Sequence, residues 1–347
     1  MSVLAAGAAS ATIPAREAHE PPEARGLARD GVRMLVADGD GLTHAHARAL
    51  PAHLAAGDVL VVNTSATLPA ALPAATAAGR RLRLHLSTAC DDGRWVVELR
   101  DGGERFAGGR AGDRLVLPGG ASATLLAPYL SGARLWLAEL DTAGRPPLSY
   151  LERHGAPVRY GYVARDRPLR DYQTIFATQP GSAEMPSAGR PFTHELVTAL
   201  IARGIAMAPI TLHTGVSSQE AGELPYPERF AVPAATARLV NAVRAGGGRV
   251  VAVGTTVVRA LESAAANPDG TLVPSAGWTR HVVSPQTGVR AVDGLLTGWH
   301  EPQATHLLML EAVGGRALVE DSYAAALRDG YRWHEFGDVH LILPSRR

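Results

Sequence analysis

Runs of apolar residues, and the polar turns that end them, divide this chain into strands and helices. The most telling run lies in Arg249-Val-Val-Ala-Val-Gly-Thr-Thr-Val-Val-Arg-Ala-Leu-Glu-Ser263. Val250 to Val253 reads as a strand buried on both faces. Gly254 stops it. Thr255 or Thr256 is expected to cap a following helix, whose Val257, Val258 and Leu261 share one side. A strand, a glycine turn, hydroxyls and a helix N-terminus together can hold an anion or the polar groups of a ligand. The phosphate-loop pattern Gly-x-x-x-x-Gly-Lys is absent, and an ordinary strand-to-helix junction has the same pattern.

The same reading extends to the rest of the chain. Val32 to Val36 and Val59 to Val62 are predicted strands, with Asn63 and Thr64 at the carboxyl end of the second, the edge where open α/β sheets bind ligands. His44, Ala47, Leu50 and Leu54 predict a short helix that carries His44 and His46 on a solvated face. Further helices are predicted at Leu148 to His154, after Thr193, at Thr236 to Ala245, at Thr305 to Val313 and at Ser322 to Leu327. Further strands are predicted at Ala206 to Leu212, Val282 to Ser284 and Val289 to Leu296, and after Gly337-Asp338. This strand-then-helix rhythm favours an α/β main domain with a barrel-like core. From Gly79 to Leu140 the texture changes to short alternating segments (Leu82 to Leu86, Trp95 to Leu99, Leu115 to Leu117) between glycine-rich turns, the pattern of a small antiparallel β-barrel. The expected division is a main domain of residues 1–75 and 145–347 with residues 76–144 inserted. Residues 1–25, rich in proline, are read as a mobile arm.

Composition narrows the picture. Of 347 residues, 46% are hydrophobic, so a large core is available and disorder is excluded. Thirty-four basic residues against 33 acidic leave a net charge of +1, so any contact with nucleic acid has to come from a local patch. The single cysteine, Cys90, rules out an internal disulfide framework and suits a reducing cytoplasm. No run approaches the roughly 20 apolar residues of a membrane span. A cytoplasmic monomer is expected.

Candidate chemistry concentrates at turns. His213 and His300 each follow a strand-like segment in a turn flanked by Gly or Thr, where an acid/base group is often placed, although a lone histidine is more often structural. Gly181 to Thr193 is a long Gly/Pro/Ser loop of the kind that usually has a function. Arg159, Tyr160, Tyr162 and Arg165 can stack on and pair with an RNA loop, or simply be solvated. No spacing of histidines makes a metal site.

These motifs resemble the S-adenosylmethionine:tRNA ribosyltransferase-isomerases of queuosine biosynthesis, collinearly over most of the chain. The resemblance is carried by Val251 to Ser263, Gly57-Asp-x-Leu-Val-Val-Asn63, Tyr172-Gln-Thr174, Ala188-Gly189 with Phe192-Thr193, and Thr211-Leu-His213 with Gly215. It continues in Asp293 with Leu295-Leu-Thr297, His300-x-Pro302, and Tyr331-Arg332 with Gly337-Asp338. It implies an α/β barrel-like main domain, a β-barrel insert and a cleft between them. It also implies a reaction in which S-adenosylmethionine, as co-substrate and without a metal, gives its ribosyl carbons to the aminomethyl group of a 7-deazaguanine base in tRNA, forming epoxyqueuosine. His213, His300 and Glu262 are the expected bases or acids. Gly254, Thr255, Thr256, Arg259 and Ser263, with Asn63, Gln173, Thr174, Phe192 and Asp338, are the expected ligand-binding positions.

The sequence departs from the family pattern where Ala66 and Ala71 replace arginines, where Pro191 replaces a histidine, and where Leu224-Pro-Tyr-Pro-Glu228 keeps only the glutamate of a histidine-rich element. Arg159 and Arg190 are new beside the lost groups. Three readings stay open on these residues. They are the family reaction on tRNA, a divergent enzyme using S-adenosylmethionine or a related nucleoside with a small-molecule acceptor, and a non-catalytic nucleoside- or RNA-binding protein.

Overall fold

The computed structural model describes residues 17–131, 134–216, 225–300 and 306–344. Most of the expected N-terminal arm, Ser217, Ser218, Leu224 and Pro302 lie outside the described residues.

In chain order, β1 (Arg33–Asp38) and β2 (Gly41–His46) form an antiparallel pair, and β3 (Val59–Asn63) enters the middle of the main sheet. A short β4 (Ser65–Thr67) leads into the insert, built from β5 (Ala71–Ala75), β6 (Arg81–Ala89), β7 (Trp95–Asp101), β8 (Glu104–Arg105), β9 (Arg114–Val116), β10 (Ser122–Pro128) and β11 (Leu135–Asp141). The chain returns through α1 (Pro147–His154), β12 (Gln179–Ser182), α2 (His194–Ala202), β13 (Ala206–Leu212), β14 (Glu228–Val232) and α3 (Ala234–Ala245). It finishes with β15 (Val250–Val253), α4 (Thr255–Ala264), β16 (Ser275–Thr279), β17 (Gly294–Gly298), α5 (His306–Gly314), α6 (Arg316–Asp329) and β18 (Val339–Leu343).

The main sheet is mixed, in the order β16-β14-β13-β3-β15-β17-β18-β1-β2. Its centre, β13-β3-β15-β17, is parallel. Every residue of β3, β15 and β18 is buried, because alternate side chains of one strand feed two cores. Val59, Val61, Val250 and Ala252 pack with Val240, Leu261, Leu310 and Tyr323 of α3 to α6. Leu60, Val62, Val251 and Val253 pack with Leu50 and with Leu196 and Leu200 of α2. A strand covered on both faces has to be apolar at consecutive positions, which is why these runs do not alternate.

The insert closes on itself. β5 pairs with β6, β6 with β7, β7 with β11, β11 with β10, β10 with β9 and β9 with β5, all antiparallel, and β8 extends β7. Leu84, Leu86, Val97, Leu99, Leu125 and Leu135 fill it. Closure pairs the edges that an open six-stranded sheet would expose. β5, which the sequence reading leaves before the boundary at residue 76, is one of the barrel strands. Where the chain leaves and re-enters the main domain, Ala71 and Ala156 exchange backbone hydrogen bonds of 2.8 and 2.9 Å.

Three expectations change. The segment with His44 and His46 is the edge strand β2, paired with β1, and the helix is a 3₁₀ segment starting at Ala47. Residues 17–25 pack down rather than hang free: Ala18 is fully buried, and Arg25 donates to the Phe336 carbonyl at 2.9 Å. Val282 to Ser284 is not a strand; β14 and β16, which the pattern does not announce, extend the sheet instead. Among the described residues no helix is long and apolar enough to cross a membrane.

Asp58 ties the N-terminal ends of two central strands. Its carboxylate accepts the amides of Ala55 and Arg249 and the Arg249 guanidinium at 2.6 Å. Burial alone would raise its pKa, but these donors outweigh burial and hold it below the ordinary range. Asp58→Ala leaves four N–H donors unmatched, the amides of Ala55 and Arg249 and two of the Arg249 guanidinium. The expected cost is about 3 kcal/mol, read as a lower denaturant midpoint at unchanged slope. A loss under 1 kcal/mol would show that the two strands do not depend on it.

Candidate functional site

The glycine turn after β15 opens into a cavity of about 510 Å³ between the barrel and the carboxyl edge of the main sheet. The turn depends on Gly254, whose φ of 100° is a conformation that side-chain-bearing residues rarely adopt. Gly254 itself is the N-cap of α4, and neither threonine caps the helix. Thr255 and Thr256 are therefore the first two helical residues and line the cavity at the positive end of the helix.

Two imidazoles line the same cavity. His300 follows β17, its Nε2 lies 3.0 Å from Thr297 Oγ1, and its ring stacks on His306 at 4.4 Å with planes 2° apart. Burial, followed by the neighbouring His306, His334 and His340, pushes the His300 pKa well down. Burial and Arg259 lower His306 to about 4. Both rings are thus neutral at physiological pH and can accept a proton or hold a hydroxyl.

Carboxylates occupy the facing walls. Glu228 accepts the Gly215 amide at 3.1 Å and the Arg259 guanidinium at 2.5 Å, and burial raises its pKa despite that partner. Glu335 accepts the Tyr162 hydroxyl at 2.6 Å, and burial lifts it to about 7. Glu184 accepts the Tyr160 hydroxyl. The rings of Tyr160 and Tyr162 stack at 6.0 Å, and His334 lies flat on Tyr162 at 4.0 Å. His334 adopts φ 70°, a conformation costly for a histidine, and this is the backbone that turns its ring onto Tyr162. The Arg-Tyr segment read from sequence as either solvated or RNA-binding thus contributes two tyrosines to the cavity wall.

Of the positions expected from sequence, Gly254, Thr255, Thr256, Arg259 and His300 line the cavity. The others lie behind it. His213 rests against Gly181 with Nδ1 2.7 Å from Ser65 Oγ; it follows β13 as expected, but its ring turns toward β4 and β12, and the adjoining Thr214 and Gly215 reach the cavity instead. Glu262 does not line the cavity; both its oxygens accept backbone amides, from Arg290 and Ala291. Arg259 is committed rather than free for a ligand: besides Glu228 it donates to the carbonyls of Tyr226, Thr279 and His281. Ser263 bonds Thr279 and the Arg259 carbonyl. Asn63 locks β3 to β13 through Leu212 and touches Thr256 Oγ1 at 3.3 Å. Gln173 pairs with the Thr67 backbone, Thr174 caps the Phe176 amide, and Phe192 is core. Asp338 accepts the amides of Arg33 and Arg332. Of the two arginines read as new, Arg190 is buried against Glu23 and Phe336, and Arg159 pairs with Asp166.

Sequence reasoning passed over Glu184, His306, His334 and Glu335. Only the unusual Trp-His-Glu-Phe before Gly337 signals the last two, and their approach to residues 160–184 is made by tertiary packing.

An α/β domain with an inserted closed barrel, and between them a cavity combining neutral imidazoles, buried carboxylates and a helix N-terminus, defines a small-molecule or nucleoside site of enzymatic character. The family model described as "Queuosine biosynthesis protein" matches residues 12–342, and the chain belongs to that family. It is 38% identical over 348 residues to the S-adenosylmethionine:tRNA ribosyltransferase-isomerase of Acidiphilium cryptum, covering 95% of this chain and 96% of the relative. It is 38% identical to the protein of that name from Acidithiobacillus ferrooxidans, covering 91% and 92%. The fold is shared with the crystal structure of S-adenosylmethionine tRNA ribosyltransferase from Thermotoga maritima, with a TM-score of 0.52, 28% identity and coverage of 94% and 96% of the two chains.

A buried histidine outside the cavity gives the fold a pH signature. His340 is fully buried, stacks on Trp299 at 4.6 Å, and is lowered to about 3 by burial. A histidine with a depressed folded pKa adds stability above its unfolded pKa and loses it as pH falls toward the folded value. Stability should therefore decline from pH 6.5 downward. His340→Phe should recover about 2 kcal/mol of that decline at pH 5 relative to pH 7.5, in paired denaturant titrations. Equal declines in the two proteins would rule out the neutral buried ring as a source.

Proposed function

We propose that this chain transfers and isomerises the ribosyl moiety of S-adenosylmethionine onto a 7-aminomethyl-7-deazaguanine base in tRNA. The observation that carries the reading is that one cavity joins the α4 N-terminus, the His300–His306 pair and the Tyr162–Glu335 pair. Identity of 36–38% over more than nine-tenths of the chain to relatives named for this reaction supports it over a small-molecule acceptor or a non-catalytic role.

The charge pattern suits the reactants. S-adenosylmethionine brings a sulfonium that acidifies the ribose C5′ hydrogens. A cationic co-substrate and an aminomethyl acceptor are matched by carboxylates and aromatic faces, here Glu184, Glu228, Glu335, Tyr160 and Tyr162. The free amides and hydroxyls at Thr255 and Thr256 can hold a carboxylate or the ribose diol. Asn63 orients the Thr256 hydroxyl, and Arg259 fixes Glu228, so neither needs to touch the ligand to matter. Proton removal calls for a base tuned near the working pH, and Glu335 at about 7 is the best placed in energy. Neutral His300, held by Thr297, can take the proton of the attacking amine.

The direct test incubates the protein with S-adenosylmethionine and tRNA bearing the aminomethyl base, and reads free adenine and the mass of the modified nucleoside. Adenine release and a matching mass increase are expected; no adenine from well-folded protein sinks the reading. His300→Ala and Glu335→Gln should each lower kcat on the order of 10²- to 10⁴-fold. Because a base has to be ionised to act, wild-type kcat should rise with pH through about 7, and Glu335→Gln should lose that limb. A limb that persists in the variant would move the role to another group.

A further inference from the structure

The barrel face that leads to the cavity carries an arrangement that the chemistry inside does not use. In β6 the side chains of Arg81, Arg83 and His85 point to one face, and Leu82, Leu84 and Leu86 to the other, which is the barrel interior. Register places Arg83 directly opposite Arg100 in β7, and Arg100 directly opposite Arg105 in β8. Three arginines thus stand side by side across three adjacent strands, with Arg81 two residues farther along. Like charges directly opposite each other in an antiparallel pair are destabilising. Glu98, fully buried in the middle of β7, lies 3.0 Å from Arg100 Nε and 3.2 Å from Arg134 and so offsets the central arginine of the row.

Arg81 and Arg83 are exposed, and among the described residues neither has a carboxylate partner. On their other flank, register sets Arg81 opposite Ala75 and Arg83 opposite Pro73, residues too short to screen a guanidinium. The row meets the cavity at its central member: Arg100 lines the cavity, as does Glu104, and lies 5.8 Å from the Tyr160 ring. Carboxylates and neutral imidazoles line the cavity, and the exposed Arg81 and Arg83 lie on the barrel face beyond it. A ligand whose reacting base is neutral or cationic, but whose connecting backbone is anionic, matches both halves.

We propose that Arg83 and Arg81, continuing from Arg100, form a track on the outer face of the barrel that binds the phosphate backbone of the RNA strand while its target base enters the cavity. The inference rests on the function proposed above for its choice of RNA, and it assigns the barrel a binding role of its own. Both residues are exposed, so Arg81→Ala/Arg83→Ala leaves the fold intact. Arg110→Ala/Arg114→Ala, on exposed positions elsewhere on the barrel, is the control.

Binding of unmodified tRNA is measured between 50 and 200 mM salt without S-adenosylmethionine, and adenine release is assayed separately. Each phosphate contact to a single strand contributes about 0.7 to the slope of log affinity against log salt. Across that range the Arg81/Arg83 variant should therefore lose about sevenfold less affinity than wild type, with KM for tRNA raised and KM for S-adenosylmethionine unchanged. Arg83→Glu should bind more weakly than Arg83→Ala. An unchanged salt slope in the Arg81/Arg83 variant, an equal change in the control, or no salt-dependent RNA binding by wild type overturns the track. Salt-dependent binding through these arginines with no adenine released upholds the track and overturns the functional reading instead.

Discussion

The ion pair between Arg259 and Glu228 is the contact on which the cavity depends. Arg259 is on α4, directly behind the glycine turn, and Glu228 opens β14. Through one buried guanidinium, α4 is fixed to β14, to the Tyr226 segment and to the end of β16. Removing either partner would leave a buried charge without its counterion, typically a loss of 3–5 kcal/mol. The same pair holds a carboxylate at the cavity wall with its second oxygen on the Gly215 amide. Architecture and chemistry are therefore joined here, and a site laid out around the helix end keeps its shape only while this pair is intact.

The division of labour follows from burial. Groups in contact with two or three backbone amides, such as Glu262, Asp338 and Asp58, hold strands and loops in place. Groups bound to a single side-chain partner at the cavity, such as Glu335 with Tyr162 and His300 with Thr297, keep lone pairs or protons for other use. Desolvation then sets their proton affinities, raising the carboxyl and lowering the imidazole. The carboxyl therefore titrates close to neutral pH, while the imidazole stays neutral there.

How much of this was legible in the sequence depended on range. Buried strands covered on both faces declared themselves by consecutive apolar residues, as at Val59 and Val250, and the barrel by alternation between glycines. The glycine turn and its threonines were found because strand, turn and helix are contiguous. His213 and Glu262 lie off the cavity for a common reason: a polar residue beside such a turn has the same local sequence whether it faces the cavity or the wall behind it. Asn63 and Arg259 lie beside the glycine turn, but their hydrogen-bonding capacity is spent largely on distant backbone. Glu335 and Glu184 escaped notice because their tyrosine partners are 173 and 24 residues away, and no periodicity records such a meeting. β14 and β16 are not announced because each joins the sheet edge by pairing rather than by an apolar run.

The paired backbones of Ala71 and Ala156 have a separate consequence. Seen from the main domain, everything between them is a single hairpin whose turn happens to be a folded barrel. The ends of that excursion are already held together, so a change of length in any barrel loop adds no strain to the strands outside it. The insert can be lengthened, trimmed at its loops or remodelled on its outer face while the register of β3, β13 and β15 stays where it is. Recognition of a large partner can thus be altered on one side of this junction without disturbing the reaction chamber on the other.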